Sequence, residues 1–453
     1  MKRAADFIFW LLPVLCFLGC AGSPETIADL YTLPQDATFY LDPATATAEM
    51  VSRERQQAMH EHFLRQFFLP WCRTETSLTR QELVREFSKC RSDSGYGENL
   101  RKHTLAWYDT LARNASLGTF PNAGFRGITI YPSNLRRQPT SKPHFSSLKA
   151  DGSAYPFDNF QNSALPANTP VYVAHVSRDQ AWVLVESHYA AGWLPARDVV
   201  RVDKSLMELW QSAEQLAIIR DEVPVSDEEG RFLFMAGVGA QFPRRNGAGD
   251  TCRILVVQAD EEHTARLMTA ILPAAAAVLQ PLPLTPRALA EMANQLMNQP
   301  YGWGGLYQNR DCSSLLKDLF APYGIWLPRH SAHQALTGGT VLELGSLNPH
   351  DRERMIREHG IPFLTLIWAR GHIMLYLGQH GGHAVVFHTF WGIKTRTIWG
   401  REGRKIVGHS AITSLHPGAE LSDRDFPGGD LLHRVEGMTV LKSEPQNRRT
   451  EEP

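Results

Sequence analysis

Cys312 is the residue of this sequence with the clearest potential for covalent chemistry. It stands between Asp311 and Ser313, after the glycine-rich turn YGWGG at residues 301–305. Apolar residues at helical spacing follow it, at Leu315, Leu316, Leu319 and Phe320. The spacing predicts a helix that begins at or near the cysteine, where free backbone N–H groups and the helix dipole favour a thiolate. A cysteine whose pKa is lowered in this way is a nucleophile near neutral pH, whereas the alternative role is that of a small buried apolar side chain.

A thiol nucleophile needs a base that takes its proton and a third group that holds the base. His372 begins an apolar, strand-like run, and His388 ends the next one, with a turn at Gly381 and Gly382 between them. Antiparallel pairing of these strands would place the two imidazoles side by side. Each of the 18 histidines, taken alone, is better explained by a structural role. The two together with Cys312 nevertheless predict a Cys-His-His site.

The bulk properties limit the classes of function. A chain of 453 residues is too long for one core and predicts about three or four domains. Its net charge of −1, from 46 basic and 47 acidic side chains, gives no indication of a nucleic-acid partner. The spacings CxxC and HExxH do not occur, so no metal site is predicted, and no cofactor is expected. Cys72 and Cys90 are candidates for a disulfide in an oxidising compartment.

The N-terminal residues have the pattern of an export signal. A short basic stretch precedes an apolar run at residues 7–18 that is too short to span a membrane comfortably, so residues 1–19 are predicted to be a signal peptide. Residues 17–20 (FLGC) resemble a bacterial lipobox, in which Cys20 is acylated and becomes the mature N-terminus. Ala21 favours the outer membrane over the inner one. The predicted location is the periplasmic face of a bacterial membrane, as an outer-membrane lipoprotein, and the alternative is secretion.

Changes in composition and periodicity divide the rest of the chain. A region rich in Pro, Ala, Thr and Asp is typical of a tether, and a helical segment follows it. Two stretches of short strand-like runs separated by turns then have the pattern of small barrels. The last part places the Cys312 helix before several strand-like runs, the last of them at residues 405–409. This order predicts an α+β domain with a polar insertion after Ser331. The predicted boundaries are 20–48 for the tether, 49–115 for the helical segment, 116–203 and 204–283 for the barrels, and 284–440 for the α+β domain.

Several motifs together resemble those of the NlpC-type cell-wall cysteine peptidases. They are the turn YGWGG, the sequence DCSS with its apolar helix, the triplet LPR at residues 327–329, and GHIMLYLG followed by VFH. The resemblance covers residues 286–415, and upstream strands ending in a Gly-Trp pair, similar to bacterial SH3-like barrels, extend it to most of the chain. It implies a papain-like α+β peptidase domain preceded by two small SH3-like β-barrels and a helical N-terminal segment. It also implies catalytic roles for Cys312, His372 and His388.

The resemblance further implies a reaction and a substrate. Several members of the family hydrolyse the bond between γ-D-glutamate and a diamino acid in peptidoglycan stem peptides. Members with an N-terminal SH3-like barrel resemble recycling enzymes that require a free N-terminal L-alanine. The residues expected to contact such a peptide are Tyr301, Asp311, Ser313 and Arg329, with Tyr189 of the first barrel as a candidate wall of the cleft. Ser314, where the family commonly has glycine, and the polar insertion depart from the pattern and are expected to reshape the rim of the cleft.

The sequence leaves other functions open. The same resemblance admits another peptidoglycan amide bond, such as the muramoyl–alanine linkage of intact wall, or acyl transfer to an acceptor other than water. A non-catalytic wall-binding lipoprotein would keep the barrels and lack the site. A metal-dependent hydrolase using His330, His333 or His383 would be inhibited by chelators and insensitive to iodoacetamide.

Overall fold

The computed structural model describes residues 27–149, 154–245 and 251–442. The predicted signal peptide and the predicted lipidation site at Cys20 lie outside these residues and stay predictions. No helix in the described part of the chain is both long enough and apolar enough to cross a membrane. The described elements form a helical N-terminal segment, two small sheet domains and a C-terminal α+β domain.

Residues 27–48 pack on the C-terminal domain, which corrects the prediction of a free tether at residues 20–48. Helix α1 (Asp29–Thr32) and a 3-10 turn (Ala37–Tyr40) lie in this stretch. Ala37 is fully buried in the core of the C-terminal domain. Composition did not indicate this packing, because Asp, Thr and Pro give the same polar signature in a free linker and in a segment whose side chains bond a partner.

Two side chains of this segment pair with a sheet edge much as another strand would. Gln35 donates to the C=O of Ile412 and accepts from its N–H, both at 2.9 Å. The Asp29 carboxylate accepts from the N–H and the hydroxyl of Ser414, both at 2.8 Å. An edge strand that would otherwise expose unpaired backbone groups is therefore covered at two alternate residues.

The helical segment predicted at residues 49–115 is confirmed as helical. Its three longer helices each follow an N-cap residue whose side chain accepts a hydrogen bond from the first turn, at Ser52, Thr79 and Thr104. Thr79 and Glu82 form a complete capping box. The helices are α2 (Arg53–Phe67), α3 (Leu69–Cys72), α4 (Arg80–Asp93) and α5 (Leu105–Ala115).

Seven antiparallel strands form the first sheet domain. They are β1 (Phe125–Thr129), β2 (Ser133–Arg136), β3 (Gln161–Leu165), β4 (Pro170–Val176), β5 (Trp182–Glu186), β6 (Ala191–Pro195) and β7 (Val199–Arg201). Their spatial order is β3-β2-β6-β5-β4-β1-β7. Trp193 on β6 is fully buried, so this aromatic residue belongs to the core and not to a ligand surface.

Helix α6 (Lys204–Ser212) leads into the second sheet domain, which consists of two small sheets. The strands are β8 (Gln215–Ile218), β9 (Val223–Asp227), β10 (Phe232–Ala236), β11 (Gln241–Pro243), β12 (Thr251–Ala259), β13 (Ala265–Pro273) and β14 (Ala277–Leu279). They pair in the orders β10-β9-β13-β12 and β11-β8-β14. The stacked rings of Phe234 and Phe242 lie in their shared apolar core.

The C-terminal domain places helices against one six-stranded antiparallel sheet. Its helices are α7 (Pro286–Gln295), α8 (Cys312–Phe320), α9 (Ser331–Gln334), α10 (Pro349–His359) and α11 (Leu431–Arg434). Its strands are β15 (Thr340–Glu343), β16 (Thr365–Ala369), β17 (His372–His380), β18 (His383–Arg396), β19 (Glu402–Ser414) and β20 (Val435–Val440). The spatial order is β15-β20-β16-β17-β18-β19, and α8 packs on β17 and β18 at its centre.

Two features of this domain differ in detail from the sequence prediction. Strand β18 continues well beyond His388, because it pairs with β19 along almost its whole length, so His388 lies within the strand and not at its end. The polar insertion after Ser331 is also ordered: it supplies α9, α10 and β15. Strand β15 extends the sheet by pairing with β20.

The chain leaves the C-terminal domain and returns to it at neighbouring points. The N–H of Met50 donates to the C=O of Leu284 at 3.0 Å, and the N–H of Arg287 donates to the C=O of Ala46 at 2.8 Å. The helical segment and both sheet domains lie between these contacts in sequence. The C-terminal domain is therefore completed by residues 27–51 from the start of the described chain.

Arg310 joins the second sheet domain to the C-terminal domain. Its buried guanidinium donates to both carboxylate oxygens of Asp221, at 2.5 and 2.8 Å, and its Nε donates to Asp318 on α8 at 2.8 Å. Asp221 lies just before β9 in the second sheet domain. Removing the cation would leave the Asp221 charge without compensation in a place shielded from water.

Replacing Arg310 by methionine should lower the free energy of unfolding by about 3 kcal/mol, because Asp221 loses its cation in a buried setting. Lys142→Met is the matched control. Lys142 pairs with Glu98 on the surface, where the side chains are 54% and 53% exposed, and the loss of this pair should cost less than about 1 kcal/mol. Urea unfolding followed by tryptophan fluorescence measures both variants. Equal effects of the two substitutions would contradict the role given to Arg310.

Candidate active site

Cys312 is the first residue of helix α8, as the sequence predicts. Asp311 is the N-cap, and its carboxylate accepts the N–H of Ser314 at 2.9 Å. The Ser314 hydroxyl in turn accepts the N–H of Asp311 at 2.9 Å, which completes a capping box. The apolar residues that follow fill the core against the sheet. The capping box and the apolar packing of α8 together fix Cys312 at the positive end of the helix dipole.

The thiol of Cys312 is not activated in the free protein, which corrects the prediction of a lowered pKa. Burial, and after it the adjacent Asp311 carboxylate, raises the pKa of the Cys312 thiol to about 12. The N–H of Ile373 donates to the sulfur and acts in the opposite direction, but it does not outweigh burial. The sulfur thus lies against the start of β17 as a neutral thiol.

The two predicted histidines are hydrogen-bonded to each other. His372 is the first residue of β17, and its Nε2 lies 2.7 Å from Nδ1 of His388 on β18. Both side chains are buried. The antiparallel pairing of β17 and β18 therefore brings the imidazoles together as predicted.

Thr413 sets the protonation pattern of this pair. Its hydroxyl donates to the C=O of Ser414 at 2.8 Å and lies 2.9 Å from His388 Nε2. A hydroxyl has one proton, so it must accept from His388 Nε2–H, which leaves His388 Nδ1 as an acceptor for His372 Nε2–H. The free lone pair of the neutral His372 imidazole is then on Nδ1.

The surroundings of His372 disfavour its protonated form. Burial lowers the pKa of His372 to about 3, and the guanidinium of Arg434 acts in the same direction. The imidazole is therefore neutral at physiological pH and can accept the thiol proton. Cys312 and His372 are therefore both uncharged in the free protein.

Arg329 links three parts of the molecule through a buried ion pair. Its guanidinium donates to the two carboxylate oxygens of Asp311 at 3.0 and 2.6 Å. It also donates to the hydroxyls of Ser313 and Ser163, both at 2.8 Å. Ser163 belongs to β3, so the start of α8, the residues before α9 and the first sheet domain meet at one cation.

The Asp311 carboxylate stays ionised although it is buried. Burial raises its pKa, but the charge of Arg329 and the hydrogen bonds from Arg329 and Ser314 outweigh burial and hold the pKa below its ordinary value. Its Oδ1 accepts from Arg329, Ser313 and Ser314. Its Oδ2 accepts from Arg329 and from the N–H of Gly304 at 3.0 Å, and so is the less crowded oxygen.

Tyr301 belongs to an aromatic wall built by two domains. Its ring centroid lies 5.9 Å from that of Trp391 on β18 and 6.5 Å from that of Phe157 in the first sheet domain. Phe157 also contacts Trp303, with 5.1 Å between centroids. Burial, followed by the charge of Asp311, raises the pKa of Tyr301 well above its ordinary value. Its hydroxyl therefore keeps its proton beside the nucleophile.

Tyr189 is placed differently from the other residues predicted to bind substrate. Its hydroxyl donates to the C=O of Ala164 at 2.6 Å, and the ammonium of Lys317 lies over its ring at 4.6 Å from the centroid. With Ser163 and Arg329 it lines a cavity of about 160 Å³ between the two sheet domains and α8, and Cys312 is not part of that lining. In this arrangement Tyr189 supports the first sheet domain from behind Arg329.

The histidines of the metal-hydrolase alternative fall into two places. His330 and His333 lie at the start of α9, with 5.9 Å between ring centroids. His383 begins β18, where its Nδ1 is 3.3 Å from a carboxylate oxygen of Glu353. The thiols of Cys72 and Cys90 are both free, so the candidate disulfide is not formed.

Sequence reasoning did not single out Thr413, Ser163, Phe157 or Trp391. Thr413 carried one usable signal: extending the predicted strand at residues 405–409 places a hydroxyl on the strand next to His388. Ser163 and Phe157 had no such signal, since their contacts depend on how one domain docks on another.

A cysteine at a helix start, packed against an antiparallel sheet that supplies two hydrogen-bonded imidazoles, defines an α+β cysteine peptidase. Family models agree with this class. The model of the NlpC/P60 family matches residues 298–398, and that of the NLPC_P60 stabilising domain, N term, matches residues 9–120. SH3 domain models of the SH3b1 and SH3b2 types match residues 143–195 and 203–245. The chain therefore contains an NlpC/P60 domain, of the cysteine peptidase superfamily, preceded by an N-terminal stabilising domain and two SH3 domains.

A solved structure shows the same fold, and a second one is similar to a lesser degree. An NlpC/P60 endopeptidase from Photobacterium damselae subsp. piscicida is similar over 91% of this chain and 98% of its own, with a TM-score of 0.81 and 26% sequence identity. An NlpC/P60 family protein from Bacillus cereus ATCC 10987 is similar over 70% of this chain and 99% of its own, with a TM-score of 0.46 and 15% identity. No curated protein sequence matches the chain. The predicted fold class, a peptidase domain after two SH3-like domains and a helical segment, is confirmed.

Alkylation of Cys312 by iodoacetamide should accelerate by about tenfold for each pH unit between pH 7 and 10, because only the thiolate reacts and burial raises the pKa of this thiol. Mass spectrometry of the Cys312 peptide separates its labelling from that of the other cysteines. A rate that is already constant between pH 5 and 8 would indicate a Cys312 thiolate and a His372 imidazolium, and would contradict the uncharged state of both groups.

Thr413→Val should lower kcat on a peptide substrate by about tenfold or more and leave KM nearly unchanged, because a buried His388 N–H loses its acceptor and the imidazole tautomers are no longer fixed. Thr413→Ser is the matched control, since it keeps the hydroxyl and should keep kcat. Steady-state kinetics measure kcat and KM of both variants. Equal melting temperatures would show that a lower kcat does not result from unfolding. Wild-type kcat in Thr413→Val would rule out the positioning role.

Proposed function

We propose that this peptidase hydrolyses the bond between γ-D-glutamate and a diamino acid in peptides released from peptidoglycan, and that it acts on peptides with a free N-terminal L-alanine. The observation that carries the proposal is the ionised Asp311 beside the nucleophile, held by Arg329 where the first sheet domain meets the cleft. The NlpC/P60 domain supports the peptidase class. The similar structure from Photobacterium, described as an endopeptidase, supports cleavage within a peptide.

The proposed reaction is acyl transfer through a thioester. The Cys312 sulfur attacks the γ-glutamyl carbonyl carbon while His372 Nδ1 takes the thiol proton. Backbone N–H groups at the start of α8, that of Cys312 among them, receive the oxyanion. The C–N bond then breaks, and His372 gives its proton to the leaving amine. Water, deprotonated by His372, finally hydrolyses the thioester and restores the thiol.

The free α-amine of L-alanine is the group that Asp311 is suited to recognise. After burial, Asp311 makes the largest contribution that raises the pKa of both Tyr301 and Cys312, so its charge acts on the cleft in spite of Arg329. An ammonium at its less crowded Oδ2 would gain a charge-assisted hydrogen bond. An alanine whose amine is still acylated presents a neutral amide instead of an ammonium, so it cannot form this charge-assisted hydrogen bond.

The aromatic wall supports selection against intact wall. Phe157 comes from the first sheet domain, and it packs against Tyr301 and Trp391 of the peptidase domain. Rings from two domains therefore close the cleft on the side of Asp311. We expect a wall at this position to admit one alanine and to exclude glycan on its amino side.

The protein should cleave L-Ala-γ-D-Glu-diaminopimelate after the glutamate, with the products identified by mass spectrometry, and Cys312→Ala should not. N-acetylation of the alanine should lower kcat/KM by about 100-fold or more, because a buried carboxylate would then face an amide in place of an ammonium.

Two variants separate amine recognition from general damage to the site. Asp311→Asn removes the charge and should shrink the preference for the free amine. Ser313→Ala removes the two hydrogen bonds of its hydroxyl with Arg329 and Asp311, keeps the carboxylate and should retain the preference. Equal rates on free and acetylated peptide, or ready digestion of intact sacculi, would instead favour the second candidate, a hydrolase of intact wall.

A further inference from the structure

Three side chains outside the active site converge at the far end of strand β18. Glu353 comes from α10 in the polar insertion, His383 begins β18, and His416 follows β19. One ligand atom from each side chain lies within 4.8 Å of those of the other two. Among the residues that the structure describes, no other group of three or more metal-ligating side chains is this close together. Its members come from three separate elements, so no spacing in the sequence indicates it.

Glu353 is a buried carboxyl group with few partners. Its side chain accepts the N–H of Ala384 at 2.9 Å and lies 3.3 Å from His383 Nδ1. Within residues 27–149, 154–245 and 251–442, no lysine or arginine makes an ion pair with it. A buried carboxylate without a fixed cation is unfavourable, and a bound cation would compensate it.

His416 is held in the orientation that suits a metal ligand. Its Nδ1 lies 2.8 Å from Oδ2 of Asp430, which is almost completely buried. With Nδ1 next to this carboxylate, Nε2 is the ring nitrogen that is available to a metal ion. Metal-bound histidines are commonly held by a carboxylate in this way.

We propose that Glu353, His383 and His416 bind a divalent transition-metal ion, zinc, with water in the fourth position. Two imidazoles and a carboxylate are ligands that zinc accepts at about 2.0–2.2 Å in tetrahedral geometry. Ligand atoms around such an ion are about 3.4 Å apart. The His383 side chain is 58% exposed, so its ring is free to turn and close the remaining gap.

The position of the site assigns it a structural role. His383 is five residues from His388 along β18, about 17 Å at the rise of an extended strand. The ion would therefore lie away from Cys312. It would tie α10 of the polar insertion to the turn before β18 and to the end of β19. This role does not depend on the proposed substrate.

Zinc titration of the full protein tests the site. The Cys312→Ala background removes the catalytic thiol as a competing ligand, and prior treatment with a chelator removes bound metal. Calorimetry should show one zinc ion per chain, and zinc should raise the melting temperature, because the ion binds the folded state. Magnesium should do neither, since it prefers oxygen ligands.

His383→Ala, His416→Ala and Glu353→Gln should each weaken zinc binding by about 10-fold or more. His350→Ala is the matched control, because His350 lies on the same helix α10 and its side chain is 82% exposed. His383 is also largely exposed, so its replacement keeps the fold and decides the question even if a buried variant is unstable. The proposal would be overturned if His383→Ala and His416→Ala bound zinc as tightly as His350→Ala does. It would also be overturned if the protein bound no stoichiometric zinc at all.

Discussion

Asp311 and Arg329 have relative exposures of 7% and 3%, and neither charge would be stable in such a place without the other. Breaking a buried pair of this kind leaves one charge uncompensated and costs about 3–5 kcal/mol. The pair also joins the start of α8 to β3 through Ser163. The first sheet domain thus contributes a hydrogen bond to the ion pair beside the nucleophile, and the upstream region borders the active site.

The same burial decides the resting state of Cys312 and His372. A helix N-terminus favours a thiolate by about 0.3–1 kcal/mol, and by about 2 kcal/mol in partly buried geometries. The rise of the thiol pKa from 9.0 to about 12 disfavours the thiolate relative to the thiol by roughly 4 kcal/mol. A thiolate there would also face the negative charge of Asp311. Proton transfer to His372 therefore accompanies attack on a carbonyl, where the new charge moves on to the oxyanion.

Local patterns in the sequence were enough for the parts of the site that lie on single elements. Apolar spacing located the start of α8 at Cys312, and a turn between two strands brought His388 beside His372. The raised pKa of the thiol was not predictable, because burial depends on packing that no local pattern records. The packing of residues 27–48 was missed for the same reason.

Contacts between domains could not be predicted from the sequence. Ser163 meets Arg329, and Phe157 meets Tyr301, only because two domains dock in one arrangement. Thr413 is an intermediate case: its strand was predicted, but its contact with His388 requires the register of β18 and β19, which shifts between Phe390 and Gly392.

The hydrogen bond between Met50 and Leu284 has a consequence for how such a chain is assembled in evolution. The two ends of the upstream region lie side by side, so the helical segment and both sheet domains amount to a cassette placed in one surface loop of the peptidase. Domains whose ends are close together are readily gained, lost or exchanged at such loops. Exchange of the cassette would replace Ser163 and Phe157 and leave Cys312, His372 and His388 on an uninterrupted fold. Selectivity and catalysis can accordingly diverge at different rates within one gene.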